Sequence, residues 1–407
     1  MRSTLGIIIE NLKKENLLID FISDIQNVQE QPEIILDTII AGKICTDSKI
    51  VQDGDIFVCI KGFITDGHSY APQAFEKGAK LLIVNDFLDL PINQIKVSES
   101  RKATAVIAKV LYDDPTAKFD LIGVTGTNGK TTTTYILEQL FKKQYEYSRL
   151  PVFKTVGVIG TIGYKIGDDF YPSERTTPDI VELNEIFSKM IKAGCKIVIM
   201  EVSSHALALY RVYGLHFKYG IFTNLSQDHL DFHRNMLEYG NAKLTLFEMV
   251  QNNNGFSVVN IDDPFGHKIF KRITSNKAGF SICPACQMPV KDSNAEYWNI
   301  SDIELSEAKS SFNLFFKNEI LATKFDRISI SLPGKFNIQN MTSALIVLFK
   351  YIQNSEDNIF ENNEVNQGKI NKIYSNFNTI TGKVIEIQSA SGRMEKIIYN
   401  KKVKIIF

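Results

Sequence analysis

The chain has 407 residues, 44% of them apolar and 23% charged, with 46 basic and 46 acidic side chains and a formal net charge of zero. That length holds two or three domains with cores of their own, and the balanced charge leaves no electrostatic footprint for nucleic acid. No apolar run approaches membrane-spanning length, and five cysteines scattered along the chain argue against a disulfide framework, so no membrane insertion and a cytoplasmic location are expected.

Near the start, Leu5-Gly6-Ile7-Ile8-Ile9 is closed by Glu10 and lacks the small-residue cleavage site of a secretory signal. Up to residue 118, short apolar runs such as Ile56-Phe57-Val58-Cys59-Ile60 and Ala79-Lys80-Leu81-Leu82-Ile83-Val84 alternate with helical patterns such as residues 70–77. This predicts a small α/β unit over 1–118. Asp113-Asp114-Pro115-Thr116 is the candidate linker, because a residue before proline leaves the helical region.

A second domain is predicted over 119–395, with a mostly parallel sheet. It opens with the apolar segment Phe119-Asp120-Leu121-Ile122-Gly123, read as a buried strand, and residues 133–141 read as a helix. Between them lies Val124-Thr125-Gly126-Thr127-Asn128-Gly129-Lys130-Thr131-Thr132. A glycine loop between strand and helix, ending Gly-Lys-Thr, cradles phosphate: backbone N–H groups and the helix N-terminus attract anionic oxygens, Lys130 adds a point charge, and the Thr131 hydroxyl suits Mg²⁺. The usual first glycine of the pattern would fall at Val124. A nucleoside triphosphate is the expected ligand.

Further apolar runs, Lys196-Ile197-Val198-Ile199-Met200, Tyr219-Gly220-Ile221-Phe222-Thr223 and Gly255-Phe256-Ser257-Val258-Val259-Asn260, have the pattern of doubly covered parallel strands. Ligands bind at the C-terminal ends of such strands. Glu201-Val202-Ser203-Ser204-His205 follows the first run, and its carboxylate is placed for a metal or water anchor. The alternative is a helix cap by Ser203 or Ser204 with Glu201 solvated. After the second run come Asp228, His229, Asp231 and His233, a density that suits metal ligation. Residues 236–249 have helical spacing and carry Lys243, which taken alone reads as solvated surface. Asn260-Ile261-Asp262-Asp263-Pro264 closes the third strand as turn chemistry or as part of a nucleotide pocket. Cys283-Pro284-Ala285-Cys286 has no second pair for zinc and reads as a loop. The polar stretch 353–369 reads as a surface insertion without structure of its own.

Taken in order, these pieces resemble the Mur ligase family, ATP-dependent amide-forming enzymes of peptidoglycan precursor synthesis. The resemblance runs from about residue 43 to 395. It includes Thr46-Asp47-Ser48-Lys49 (Lys where the family usually shows Arg), Gly54-Asp55-Ile56-Phe57-Val58 and Asp66-Gly67-His68. After the phosphate loop it continues through Gly160-Thr161-Ile162-Gly163, Thr176-Thr177-Pro178-Asp179, Glu201-Val202-Ser203-Ser204-His205-Ala206-Leu207 and Asp228-His229-Leu230-Asp231-Phe232-His233. It closes with Leu332-Pro333-Gly334-Lys335-Phe336-Asn337-Ile338-Gln339-Asn340 and Gly392-Arg393-Met394-Glu395. The Thr-Thr-Pro-Asp and Ser-Ser-His-Ala-Leu pieces favour the member that adds the third residue of the peptide.

The resemblance implies that Gly126, Thr127, Asn128, Gly129, Lys130, Thr131, Thr132 and Asn340 bind ATP. It implies that Thr131, Glu201, His229 and a carbamylated Lys243 hold Mg²⁺, with Lys130, Glu201, His229 and Lys243 as the catalytic set. Ser48, Thr176, Thr177, Ser203 and Arg211 would bind a UDP-N-acetylmuramoyl-dipeptide. The chemistry implied is phosphorylation of that substrate's carboxylate to an acyl phosphate, then attack by the amine of a diamino acid, expected to be meso-2,6-diaminopimelate. Members of the family carry a third, Rossmann-like domain, and residues 396–407 read as the truncated start of one, with a strand at Val403-Lys404-Ile405-Ile406-Phe407 that lacks partners. Residues 1–407 by themselves are expected to form no amide bond, the chain being either an incomplete piece of such a ligase or, alternatively, a nucleotide- and precursor-binding remnant of one; a monomer is expected.

Overall fold

The computed structural model describes residues 3–23, 39–40, 42–147, 156–282, 295–317, 322–355, 360–361, 364–365, 367–381, 385, 395–399 and 402–406. The Cys283–Cys286 motif lies outside the described residues. Two compact units emerge: Met1–Lys118 with Pro178–Lys192 and Ala206–Leu215, and Phe119–Thr177 with Ala193–His205 and His216–Phe407. The division after Lys118 coincides with the end of the expected first domain, while two segments from within the expected second domain cluster with the first unit.

The first unit holds a five-stranded sheet in the order Leu18–Ile22, Asn93–Val97, Leu81–Val84, Ile56–Val58, Ile44–Cys45. Only the Leu18–Ile22 pairing is antiparallel. Alternation along the strands divides the apolar side chains between two cores. Ile56, Val58, Leu81, Ile83, Ile95 and Val97 pack with Ile8, Leu12 and Ile107 of two helices, Leu5–Lys14 and Ser100–Leu111. Phe57, Cys59, Leu82 and Val84 pack with Ala71 and Ala74 on the other face. The second helix starts where the Glu99 carboxylate accepts the N–H groups of Arg101 and Lys102. The helical pattern expected at 70–77 begins as a 3₁₀ turn, Gly67–Tyr70, and becomes α-helical over Ala71–Glu76.

The second unit is built on an eleven-stranded sheet. Its order is Asp169–Pro172, Gly163–Ile166, Val156–Gly160, Ile197–Glu201, Asp120–Thr125, Phe217–Phe222, Phe256–Asn260, Lys277–Ser281, Ala295–Leu305, Ser310–Lys317, Ala322–Ile330. The pairs from Val156–Gly160 to Ala295–Leu305 are parallel, and the hairpins at either end are antiparallel. Buried on both faces, the parallel strands need no polar side, which is why they read as continuous apolar runs. The helices Lys130–Tyr147 and Lys335–Ser355 cover one face with Ile136, Leu137, Leu140, Phe141, Ile338, Met341 and Leu345. Trp298 lies 4.6 Å from Phe316 and 5.3 Å from Phe349, ring centroid to ring centroid. The chain leaves Asp120–Thr125 toward one side of the sheet and later returns to place Phe217–Phe222 on its other side. That reversal puts a ligand crevice at the C-terminal end of Asp120–Thr125.

Two expectations are corrected. Within 353–369, the helix Lys335–Ser355 runs to Ser355, a short ladder pairs Phe360–Glu361 with Glu364–Val365, and the helix Gln367–Thr381 begins. Past residue 369 the helix beginning at Gln367 carries Ile373, Phe377 and Ile380, which recur at helical spacing and are buried. The strand Lys402–Ile406 is also not without a partner, since it pairs antiparallel with Glu395–Tyr399. Among the described residues no helix is long and apolar enough to cross a membrane.

Candidate nucleotide and metal site

The strand Asp120–Thr125 ends in the glycine loop, and the helix Lys130–Tyr147 starts at its lysine. Val124, where the usual pattern has glycine, is a buried strand residue paired with Glu201 on one side and Ile221 on the other. The turn needs glycine only after it. Gly126 has φ +149°, and a β-carbon there would come within 1.9 Å of the Thr223 hydroxyl. Gly129 has φ +85°, and a β-carbon would come within 2.5 Å of Asn340 Oδ1. The N–H groups of the helix's first turn, which includes Lys130, Thr131 and Thr132, have no intrahelical acceptors and suit an anion. Lys130 Nζ donates to the carbonyls of Gly126 (3.0 Å) and Thr127 (2.9 Å), so its charge lies over the loop.

Glu201 ends the neighbouring strand and is buried, which corrects the alternative of a solvated carboxylate beside a helix cap. Its Oε2 accepts the Thr131 hydroxyl at 3.0 Å and the Thr161 hydroxyl at 3.2 Å, and its Oε1 accepts the Thr161 N–H at 3.0 Å. Gly160 keeps the space beside that carboxylate, since a β-carbon there would stand 2.4 Å from Oε1. Three expected substrate contacts gather at the same strand tip. The Thr177 hydroxyl donates to the Glu201 carbonyl (2.9 Å) and accepts the Ser203 N–H (3.1 Å), and the Thr176 and Thr161 hydroxyls are 3.3 Å apart.

Lys243 is not the solvated surface group that its position in the sequence implied when taken alone. It lies on the helix Met236–Asn252, is 1% exposed, and donates from Nζ to the Gly126 carbonyl at 2.9 Å. Its ammonium form is disfavoured: burial, then the nearby Lys130 charge, push the amine well below its ordinary pKa, with Asp228 opposing. The Tyr239 ring lies 4.4 Å from Nζ, and the Tyr239 hydroxyl is 3.1 Å from that of Thr127. His229 sits in left-handed backbone (φ +52°) with a partly exposed side chain, its ring 4.9 Å from His205 and 6.1 Å from Tyr239. Among the described residues no three His, Cys, Asp or Glu side chains converge as a metal cluster. The oxygen donors at hand are the Thr131 hydroxyl and the Glu201 carboxylate, a set that suits a hard cation completed by water and phosphate.

Asn340, on the helix Lys335–Ser355, meets Gly129 and lines a cleft with Asn128, Thr223, Asn224, Phe280, Phe336 and Gln339. Phe336 is half exposed there. The remaining two expected substrate residues belong to the first unit. The Ser48 hydroxyl donates to Gln73 Oε1 at 2.6 Å, and Arg211 Nε pairs with Asp179 at 2.8 Å beside Tyr210 at φ +58°. Reading the sequence missed Thr161, Asn224 and Tyr239 as supports of the loop and the carboxylate. Thr161 lies inside a quoted motif, Tyr239 inside the helical stretch 236–249 and Asn224 directly after the run ending at Thr223, which was the available signal.

Residues 124–348 match the Mur ligase middle domain, and residues 42–112 match the catalytic domain of the Mur ligase family. Over 309 residues the chain is 40% identical to the UDP-N-acetylmuramoyl-L-alanyl-D-glutamate–2,6-diaminopimelate ligase of Clostridium botulinum, covering 74% of this chain and 58% of that protein. Over 365 residues it is 34% identical to the ligase of the same name from Bacillus velezensis, covering 88% and 65%. A solved structure of a UDP-N-acetylmuramoyl-L-alanyl-D-glutamate–2,6-diaminopimelate ligase shares the fold at a TM-score of 0.71 and 22% identity, over 99% of this chain and 70% of that one. MurF from Acinetobacter baumannii does so at 0.56 and 18%, over 100% and 73%. The chain thus spans about three fifths of the length of the curated relatives it matches.

Proposed function

We propose that this chain, which belongs to the Mur ligase family, carries the ATP and UDP-precursor sites of a ligase that joins 2,6-diaminopimelate to UDP-N-acetylmuramoyl-L-alanyl-D-glutamate. The names of the relatives supply the substrates. The observation that carries the reading is the buried pair of Thr131 and Glu201, 3.0 Å apart, where two neighbouring parallel strands end beside the phosphate loop.

In this reading the loop and the first turn of its helix bind the triphosphate, and Lys130 moves from the loop carbonyls to the phosphate oxygens. Thr131 and Glu201 would hold Mg²⁺, which when bound would screen the phosphates against the incoming carboxylate of the precursor. Thr176, Thr177 and Ser203 orient that precursor at the tip of the Glu201 strand, and Ser48 and Arg211 are proposed as further precursor-binding residues. The carboxylate attacks the γ-phosphorus and ADP leaves. The amine of the diamino acid then attacks the acyl phosphate, expels inorganic phosphate and loses a proton to solvent. Holding the anions in line and neutralising their charge lowers the barrier.

The Lys243 amine, its ammonium form disfavoured by burial, suits carbamylation. Its nitrogen would add to CO₂ with loss of a proton to solvent, and the resulting carbamate, together with His229, would offer oxygen and imidazole donors to a second Mg²⁺. Calorimetric titration with a non-hydrolysable ATP analogue plus Mg²⁺, and separately with the UDP-dipeptide, tests the reading, and binding of neither would overturn it. Assay of amide formation with 2,6-diaminopimelate then separates a working ligase from a nucleotide-binding remnant.

A further inference from the structure

The loop does not present all its amides to a ligand, because one residue just past the neighbouring strand occupies two of them. Asn224 follows the strand Phe217–Phe222, the neighbour of Asp120–Thr125 in the sheet. Its backbone carbonyl accepts the Thr127 N–H at 2.8 Å. Its side-chain Oδ1 accepts the Asn128 N–H at 3.0 Å, and its Nδ2 donates to the Asn128 carbonyl at 3.1 Å. Thr223 adds its hydroxyl, 2.7 Å from the same carbonyl, and fills the space left by the missing β-carbon of Gly126. The amide face of Asn224 thus pairs with both polar groups of Asn128, as a neighbouring strand would, and continues the sheet ladder into the loop.

We propose that Asn224 is a positioning residue for the triphosphate. It withdraws the Thr127 and Asn128 amides from the anion and holds the loop so that the amides from Gly129 onward, at the start of the helix, meet the phosphates. This deepens the nucleotide reading above and rests on it. A backbone clamp of this kind sets the loop before the ligand arrives, so that binding spends less free energy on ordering it.

The test compares the wild-type chain with Asn224→Ala, using inorganic tripolyphosphate with Mg²⁺ and, separately, adenosine as probes in calorimetric and NMR titrations. Two hydrogen bonds of ordinary strength disappear, so tripolyphosphate affinity is expected to fall roughly tenfold while adenosine affinity changes little. Equal tripolyphosphate affinity in wild type and variant overturns the proposal, as does an equal loss for both probes, which would mark Asn224 as a general support of the cleft. A wild-type chain that binds neither probe overturns the nucleotide reading itself and this proposal with it. Asn224→Ser keeps the backbone acceptor but is too short to bridge Asn128, and supplies the same comparison if the alanine variant does not fold.

Discussion

Lys243 Nζ donates to the Gly126 carbonyl across 2.9 Å, joining a buried lysine to the first turn of the phosphate loop from 117 residues away in sequence. Because burial holds this amine well below its ordinary value of 10.5, it is nucleophilic at pH values where surface lysines are protonated. Labelled CO₂ followed by ¹³C NMR should show a carbamate signal at pH values well below 10.5 that Lys243→Met removes. A signal that appears only in strongly alkaline solution would count against the carbamate. The sign for stability follows from the same shift. Between the folded value and 10.5 the unfolded chain binds the proton and the folded chain does not, so stability without CO₂ rises with pH through that window. Lys243→Met should flatten the rise, as measured by urea unfolding across pH.

Glu201→Gln separates metal binding from folding. The carboxylate is buried among neutral donors, the hydroxyls of Thr131 and Thr161 and one N–H, so removing its charge takes away a desolvation cost. The variant is expected to melt no lower than wild type without metal, yet to lose the rise in melting temperature given by Mg²⁺ with an ATP analogue. A metal-dependent rise that persists would place the cation elsewhere.

Gly129→Ala meets both a left-handed backbone and a wall, with φ +85° and Asn340 Oδ1 at 2.5 Å from the new methyl carbon. Stability should drop by about 1–3 kcal/mol, with nucleotide affinity falling alongside, since the methyl displaces the residue that lines the cleft. Unfolding curves and an ATP-analogue titration on the same preparation check this.

Phe349→Ala probes the far core, where the ring touches Trp298, Phe316, Phe325 and Phe377. A cavity there should cost about 3–5 kcal/mol. If nucleotide affinity at a temperature well below the melt stays near the wild-type value, the core and the loop are separable.

The strand, loop and helix around Gly126 were legible because each signal is local: a continuous apolar run, glycines where φ is positive, and a helix opening on Gly-Lys-Thr. Two of the five strands in the first unit's sheet, Ile56–Val58 and Leu81–Val84, were legible for the same reason. Local signals misread 353–369, where a run of polar residues reads as loop while the apolar spacing that marks the helix Gln367–Thr381, at Ile373, Phe377 and Ile380, lies beyond it. They also missed the pairing of Lys402–Ile406 with Glu395–Tyr399, because an antiparallel partner depends on register and not on composition.

By itself the sequence determined the identity of the chemical pieces: a phosphate loop, a carboxylate at a strand tip, a lysine on a helix, and an order of motifs that belongs to one family. Only the tertiary structure decided which pieces meet. Strand order places Glu201 beside Val124 and Asn224 beside Asn128, and the packing of the helix Met236–Asn252 buries Lys243 against Gly126. Contacts between residues about 70 to 117 positions apart arise from the sheet's reversal at Asp120–Thr125. No periodicity in the intervening sequence encodes that reversal, because it is settled by how the covered strands stack their apolar faces.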